Sequence, residues 1–188
     1  MRLVVFCGYS GAGKTSLIER LIPLMKARGE RVSVIKHAHH RFDIDHQGKD
    51  SWRHRQAGAF EVLVASDRRL ALMREFEQAF QMSIHHLAAH LYEGVDWVLA
   101  EGFCDAGVAK VEVWRGGDER PRYPDDPYVL AVASDGSALP EPTGLPVMSL
   151  DDAPALLQWL TDNAHRFDYD PATHAPDLLD GPSPDRVD

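Results

Sequence analysis

A chain of 188 residues suits one ordinary domain, and its 44% hydrophobic and 26% charged residues exclude a disordered or fibrous protein. No apolar run reaches the roughly 18 residues of a membrane span, and no signal-peptide pattern opens the chain, so a cytoplasmic protein with no membrane partner is expected. The formal charge of −9 argues at first against nucleic acid or any other anion as a ligand.

That charge is unevenly placed. Residues 1–55 carry 11 Lys/Arg against 5 Asp/Glu, residues 56–166 carry 8 against 18, and residues 167–188 carry 1 against 6. An anion would therefore bind in the basic first third.

From the amino end, Leu3–Cys7 is an unbroken apolar run that stops at a glycine, as expected for a strand buried on both faces. A helix follows, with Leu17, Leu21, Leu24 and Met25 at helical spacing and Gly29 as its stop. Pro23 lies inside it and should kink or interrupt it. Arg31–His37 reads as the second strand, Lys49–Ala57 as a short helix and Glu61–Ala65 as the third strand, with Leu70–Arg74 able to pair beside it as a hairpin. Ala79–Leu91 is expected to be helical and Val95–Ala100 a buried strand. Val108–Trp114 alternates like a strand with one exposed face. Val129–Ser134 and Val147–Leu150 complete the strands, and Ala153–Asn163 is a closing helix begun by Asp151 and Asp152.

Strand and helix alternating at these intervals predict an α/β fold: three layers, a mainly parallel sheet and helices on both faces, with ligands at the carboxyl ends of the strands. Residues 1–166 form the expected nucleotide-binding domain. Residues 167–188 hold four of the twelve prolines and no hydrophobic period, so they are expected to be a disordered acidic tail. Two cysteines, Cys7 and Cys104, are too few for a disulfide framework or a cysteine zinc site, and packing is their expected role.

The first strand ends in GYSGAGKT, Gly8–Thr15, which matches the Walker A pattern GxxxxGK[ST] in full. Glycines at 8, 11 and 13 let successive N–H groups converge on phosphate oxygens, and the next helix points its positive end at the same place. Gly8, Ser10, Gly11, Ala12, Gly13, Lys14, Thr15 and Ser16 are thus the candidate phosphate-binding residues. Lys14 would reach the β- and γ-phosphates, and Thr15 would give its hydroxyl to Mg²⁺. Such a loop needs a second carboxylate at the end of a hydrophobic strand, and Glu101 in WVLAEGF supplies one. Asp43, Asp45 and Asp50 follow the second strand, where a switch segment is common, and each is either a contact to magnesium or water or simply solvated.

KHAHHRFDIDHQGKDS, Lys36–Ser51, is the other chemically dense stretch. His37, His39, His40 and His46 suggest a metal cluster, but no cysteine accompanies them and their spacing matches no zinc pattern. A solvated loop is one alternative, and an anion-binding surface built from Lys36, the histidines, Arg41 and Lys49 is the reading that fits the basic first third best. AVASD places Asp135 at a strand end, where a carboxylate can accept the N1–H and exocyclic amine of guanine; a plain Asx turn into Gly136 is the alternative.

GYSGAGKT, KHAHH, DHQGKDS, VLAEGF and AVASD in this order resemble the molybdopterin-guanine dinucleotide biosynthesis protein B family, MobB, over about residues 2–162. The resemblance implies a homodimeric P-loop adaptor that binds GTP with Mg²⁺, hydrolyses it slowly and assists the MobA nucleotidyltransferase, which attaches GMP to molybdopterin; molybdopterin-bearing biosynthetic proteins are then further partners. It implies phosphate binding by Gly11, Gly13, Lys14, Thr15 and Ser16, and magnesium at Thr15 and Glu101. Lys14, Glu101 and Asp45 become the catalytic candidates and Asp135 the guanine reader. Lys36 and His37 open a loop, Lys36–His40, facing a γ-phosphate or a pterin phosphate. The acidic tail and residues 116–127 inherit no role. Two other classes stay open. One is a metallochaperone GTPase using His37, His39 and His40, and the other a small-molecule kinase, for which Arg115–Arg122 is a faint lid candidate. No arginine finger is assignable from sequence.

Overall fold

The computed structural model describes residues 1–38, 42–78, 82–117 and 119–174. Its elements in chain order are β1 (Arg2–Cys7), α1 (Lys14–Ala27), β2 (Val32–Lys36), α2 (Asp50–Gln56), β3 (Glu61–Ala65), β4 (Leu70–Arg74), α3 (Ile84–Ala89), β5 (Trp97–Glu101), β6 (Lys110–Trp114), β7 (Val129–Ser134), β8 (Val147–Ser149), α4 (Ala153–Asp162), a 3-10 turn (Ala164–Phe167) and α5 (Pro171–His174). They fall into two compact units, Met1–His37 with Met82–Asp188, and Ala38–Gln81.

In the first unit six strands pair in the order β2-β5-β1-β6-β7-β8, every pairing parallel. The apolar runs of β1 and β5 lie at the centre because only strands covered on both faces can bury residues of both parities. On one face, Leu17, Leu21 and Met25 of α1 and Leu156, Leu157 and Leu160 of α4 pack on Val4, Phe6, Leu99 and Val111. On the other, Ile84 and Ala88 of α3 join Tyr123 and Tyr169 over Leu3, Val5, Val98 and Val132. Each buried Leu, Ile, Val, Met or Phe side chain contributes about 1.5–3 kcal/mol by leaving water.

Four expectations change here. Pro23 does not break α1, which runs unbroken through it; Pro23 and Glu19 are both exposed, so water can satisfy the Glu19 carbonyl that the proline leaves without a donor. The helix expected over Ala79–Leu91 is shorter: Ser83 caps it by accepting the His86 N–H, and Ala79, Phe80 and Gln81 lie outside the described residues. β6 has no exposed face. Its polar positions are buried and paired, Lys110 with Asp126 at 2.7 Å, and Glu112 accepting N–H groups of Arg122 at 2.8 Å and Tyr123 at 2.7 Å. Burial pushes the Glu112 carboxyl above its usual range. Finally, the packed chain continues past residue 166. Phe167 and Tyr169 are buried, Tyr169 N–H donates to the Met1 carbonyl at 2.8 Å, and Asp168 bridges to Arg2; two aromatic rings repay the ordering of a segment whose average composition is polar. Residues 175–188 lie outside the described residues.

The second unit holds α2 and the antiparallel hairpin β3–β4, so Glu61–Ala65 is not part of the parallel sheet. Arg55 ties this unit together, donating to Glu75 at 2.7 Å, Asp43 at 3.0 Å and Asp45 at 3.2 Å. One face of the hairpin, carrying Leu63, Leu70 and Leu72, is exposed.

Candidate functional site

The carboxyl ends of β1, β5 and β2 bring together Lys14, Thr15, Glu101 and Lys36. Gly8 leaves β1 at φ 130°, and a Cβ there would collide with the Val113 carbonyl, so only glycine lets the loop turn this close to β6. Tyr9 stands edge-on to Trp114 with ring centroids 6.0 Å apart, anchoring the loop on its β6 side. Ala12 is buried, whereas Ser10, Gly11, Thr15 and Ser16 are exposed. Gly13, at φ 104°, stands at the head of α1 without a side-chain hydrogen bond, so the first-turn N–H groups keep their positive end for an anion. The Lys14 ammonium donates to the carbonyls of Gly8 at 2.8 Å and Tyr9 at 2.7 Å and thus lies across the loop.

Thr15 Oγ1 donates to Glu101 Oε1 at 2.8 Å, and Lys36 Nζ donates to both Glu101 oxygens at 3.3 and 3.4 Å. The parallel register explains this meeting: Glu101 sits opposite Phe6 on one side and Lys36 on the other. A hydroxyl beside a carboxylate, both oxygen donors, suits Mg²⁺, which takes few protein ligands and completes its shell with water and phosphate. His37 donates its backbone N–H to the Glu101 carbonyl at 2.9 Å, and its ring lies tilted by 36° against Phe103 with centroids 4.9 Å apart. Gly102 and Phe103 both have positive φ, 94° and 53°, which turns the chain back sharply after Glu101.

The other expected residues belong to the second unit or follow β7. Asp45 belongs to the second unit, where it accepts from Ser51 at 2.8 Å and from Arg55. Burial pushes its carboxyl up, but the Ser51 hydroxyl, the His46 N–H and Arg55 outweigh that and hold it below the usual range. Asp43 is held low as well, by the Asp45 N–H first and Arg55 second. Both are ion-paired rather than simply solvated. Asp50 pairs with Arg53, and Lys49 precedes α2. His39, His40 and Arg41 lie outside the described residues. Among the described residues no group of three or more His, Cys, Asp or Glu is arranged to hold a metal ion. Asp135, one residue beyond β7, accepts the Ser137 N–H at 3.0 Å, which is the Asx turn, and pairs with Arg115 at 3.8 Å. The Ser137 side chain first, then its N–H and Arg115, keep the Asp135 carboxyl below the usual range.

Two features were invisible in the sequence. Cys7, buried at the end of β1, donates its thiol to the Val111 carbonyl at 3.8 Å and lies beside Cys104, which the turn after Glu101 carries back toward Gly8. The Cys7 thiol first, then the Gly8 N–H, Arg122 and Lys14, overcome burial and lower the Cys104 thiol to about 6, while the Cys7 thiol is raised. The other is Arg115, whose Nη2 is 3.2 Å from the position a Cβ would take on Gly13. No local pattern marks either contact, since each joins segments about a hundred residues apart.

The family model described as "MobB: Molybdopterin guanine dinucleotide synthesis protein B" matches residues 3–135. The chain is 38% identical over 166 residues to the molybdopterin-guanine dinucleotide biosynthesis adapter protein of Haemophilus influenzae, spanning 88% of this chain and 90% of that one. It is 37% identical over 163 residues to the protein of the same name from Escherichia coli, spanning 85% and 91%. The fold is that of the MobB protein homolog from Bacillus stearothermophilus, with a TM-score of 0.68 at 24% identity, over 88% of this chain and 99% of that one. Among the described residues no helix is long and apolar enough to cross a membrane. With the family model covering more than half of its length, the chain belongs to the molybdopterin guanine dinucleotide synthesis protein B family, MobB.

Proposed function

We propose that this chain is a GTP-binding adaptor in molybdopterin guanine dinucleotide formation, holding GTP with Mg²⁺ for the transferase that attaches GMP to molybdopterin. The observation that carries the reading is the Thr15–Glu101 hydrogen bond beside Lys14, which joins the phosphate loop to an acidic strand end. The names of the Haemophilus and Escherichia relatives support the adaptor role. In this reading the first N–H groups of α1 and Lys14 hold the phosphates, Thr15 and Glu101 hold the metal, and Asp135 reads guanine. Bound Mg²⁺ supplies charge neutralisation at the β- and γ-phosphates.

Turnover is slow at most. The Asp45 carboxylate is engaged by Ser51 and Arg55, which argues against its acting as a general base. The exposed leucine face of β3–β4 supports a homodimer built on that hairpin. The cytoplasm is the expected place of action.

Isothermal titration of GTP and ATP into wild-type protein and Lys14→Ala, with Mg²⁺, tests the binding role. The expected result is GTP binding with weaker ATP binding, both lost in the variant; unchanged GTP affinity in Lys14→Ala would overturn the assignment. Adding the protein to a purified transferase with molybdopterin and GTP should raise the yield of dinucleotide, and no effect would remove the adaptor role.

A further inference from the structure

The order of the strands lays the site out as a line. Along the carboxyl edge, β2, β5, β1, β6 and β7 present in turn Lys36, Glu101, the phosphate loop, Arg115 and Asp135. Neighbouring strands are about 4.8 Å apart, so the line is long enough for a nucleotide lying along the edge. On the reading proposed above, its two ends are chemically distinct: metal and terminal phosphates lie on the β5 side, and the base lies on the β7 side. β6 falls between them, where a nucleotide has its α-phosphate.

Arg115 is the residue that follows β6. Its guanidinium lies between both neighbours, with Nη2 3.2 Å from where a Cβ would stand on Gly13 and Nε 3.8 Å from Oδ2 of Asp135. Glycine at 13 is what admits it, because a side chain there would force the guanidinium to move. Arginine suits the place better than lysine, since its planar fork can keep one edge on a carboxylate while offering other N–H groups to a phosphate. As a purely structural pair with Asp135 it would contribute little, because the guanidinium side chain is 46% exposed and the contact is long.

We infer that Arg115 is the α-phosphate ligand of the nucleotide site, bridging the phosphate loop and the guanine-reading carboxylate of Asp135. The inference rests on the guanine-nucleotide reading above. It gives the site a requirement that the sequence motifs lack: a guanosine carrying at least one 5′-phosphate, recognised at both the base and the first phosphate by two residues that touch each other.

The test is isothermal titration of guanosine, GMP, GDP and GTP, with Mg²⁺, into wild-type protein, Arg115→Ala and Arg115→Lys, with the melting temperature of each recorded. Arg115→Ala should weaken GMP, GDP and GTP by one common factor, roughly 10–100-fold for a lost charge-assisted contact, and leave guanosine and the melting temperature unchanged. Arg115→Lys should recover part of the loss and keep the same equality among the three phosphates. A loss confined to GTP would make Arg115 a γ-phosphate residue and overturn the inference. An equal loss for guanosine would overturn it in favour of a structural role at Asp135. Wild-type binding with an unaffected Arg115→Ala overturns this inference alone, whereas a wild-type protein that binds no guanine nucleotide overturns the proposed function and this assignment with it.

Discussion

The hydroxyl of Thr15 donates a 2.8 Å hydrogen bond to the carboxylate of Glu101, 86 residues further along the chain. Parallel pairing of β1 with β5 creates this contact, and it sets a hydroxyl and a carboxylate side by side at the head of α1, where the proposed function puts Mg²⁺. Glu101→Gln keeps the shape and removes the charge. GTP affinity with Mg²⁺ should fall to the level seen with EDTA, roughly tenfold, while affinity without Mg²⁺ stays as in wild type. Titration calorimetry in both buffers checks it, and an equal loss in both would count against a metal role.

Asp135 accepts the Ser137 N–H at 3.0 Å, and in the proposed reading its carboxylate accepts two donors from a purine. Guanine offers an N1–H and an amine on one edge, and adenine does not. Asp135→Asn should reduce the preference for GTP over ATP by roughly tenfold or more, the usual value of a bidentate base contact. Competition binding with a fluorescent GTP analogue measures it.

The turn after Glu101 depends on Gly102. Its φ of 94° is in the left-handed region, and an added Cβ would lie 2.8 Å from Cβ of His37. Gly102→Ala should cost about 2 kcal/mol from backbone strain alone, or a fall of roughly 4–8 °C in melting temperature for a chain of this size. Scanning calorimetry gives the answer, and an unchanged melting temperature would show that the turn relaxes freely.

Cys104 should be the reactive thiol. Its folded pKa of about 6 is below that of an ordinary cysteine, so its thiolate forms as pH rises through about 6, whereas Cys7 is buried and its thiol is raised. Because the folded pKa is depressed, the thiolate's contribution to stability is full above the unfolded value and is lost as pH falls through about 6. Iodoacetamide labelling read by mass spectrometry should label Cys104 before Cys7, with a rate midpoint near pH 6. A midpoint in the range of free cysteine would refute the shift.

Leu63, Leu70 and Leu72 share the exposed face of the β3–β4 hairpin. If a second copy covers them, Leu72→Lys should shift the species seen by light scattering from dimer toward monomer without lowering the helix content in circular dichroism. A variant that stays dimeric places the interface elsewhere.

Much of the strand and helix order was legible in advance because its signals are local. An apolar run such as Leu3–Cys7 must be covered on both faces wherever it lies, and the glycine spacing of Gly8–Thr15 is a property of consecutive residues. The same holds for the charge: the basic first third, with 11 Lys/Arg against 5 Asp/Glu, is a count over consecutive residues that the net −9 conceals. Local signals misled where the answer depended on a distant partner. Lys110 and Glu112 read as an exposed face, yet they are buried because Asp126 and the N–H groups of Arg122 and Tyr123 meet them. Phe167 and Tyr169 read as tail because their neighbours are polar, yet the start of β1 holds them.

The sequence alone therefore determined the α/β alternation, the Walker A pattern of Gly8–Thr15 and the family, all carried by residues close together in the chain. Only the tertiary structure decided that Glu101 meets Thr15, that Asp45 is bound to Arg55, that Cys104 meets Cys7 and that Arg115 rests against Gly13. Those outcomes follow from which strands and loops become neighbours, and that is settled by long-range pairing and burial across the whole sheet, for which no window of sequence carries the information.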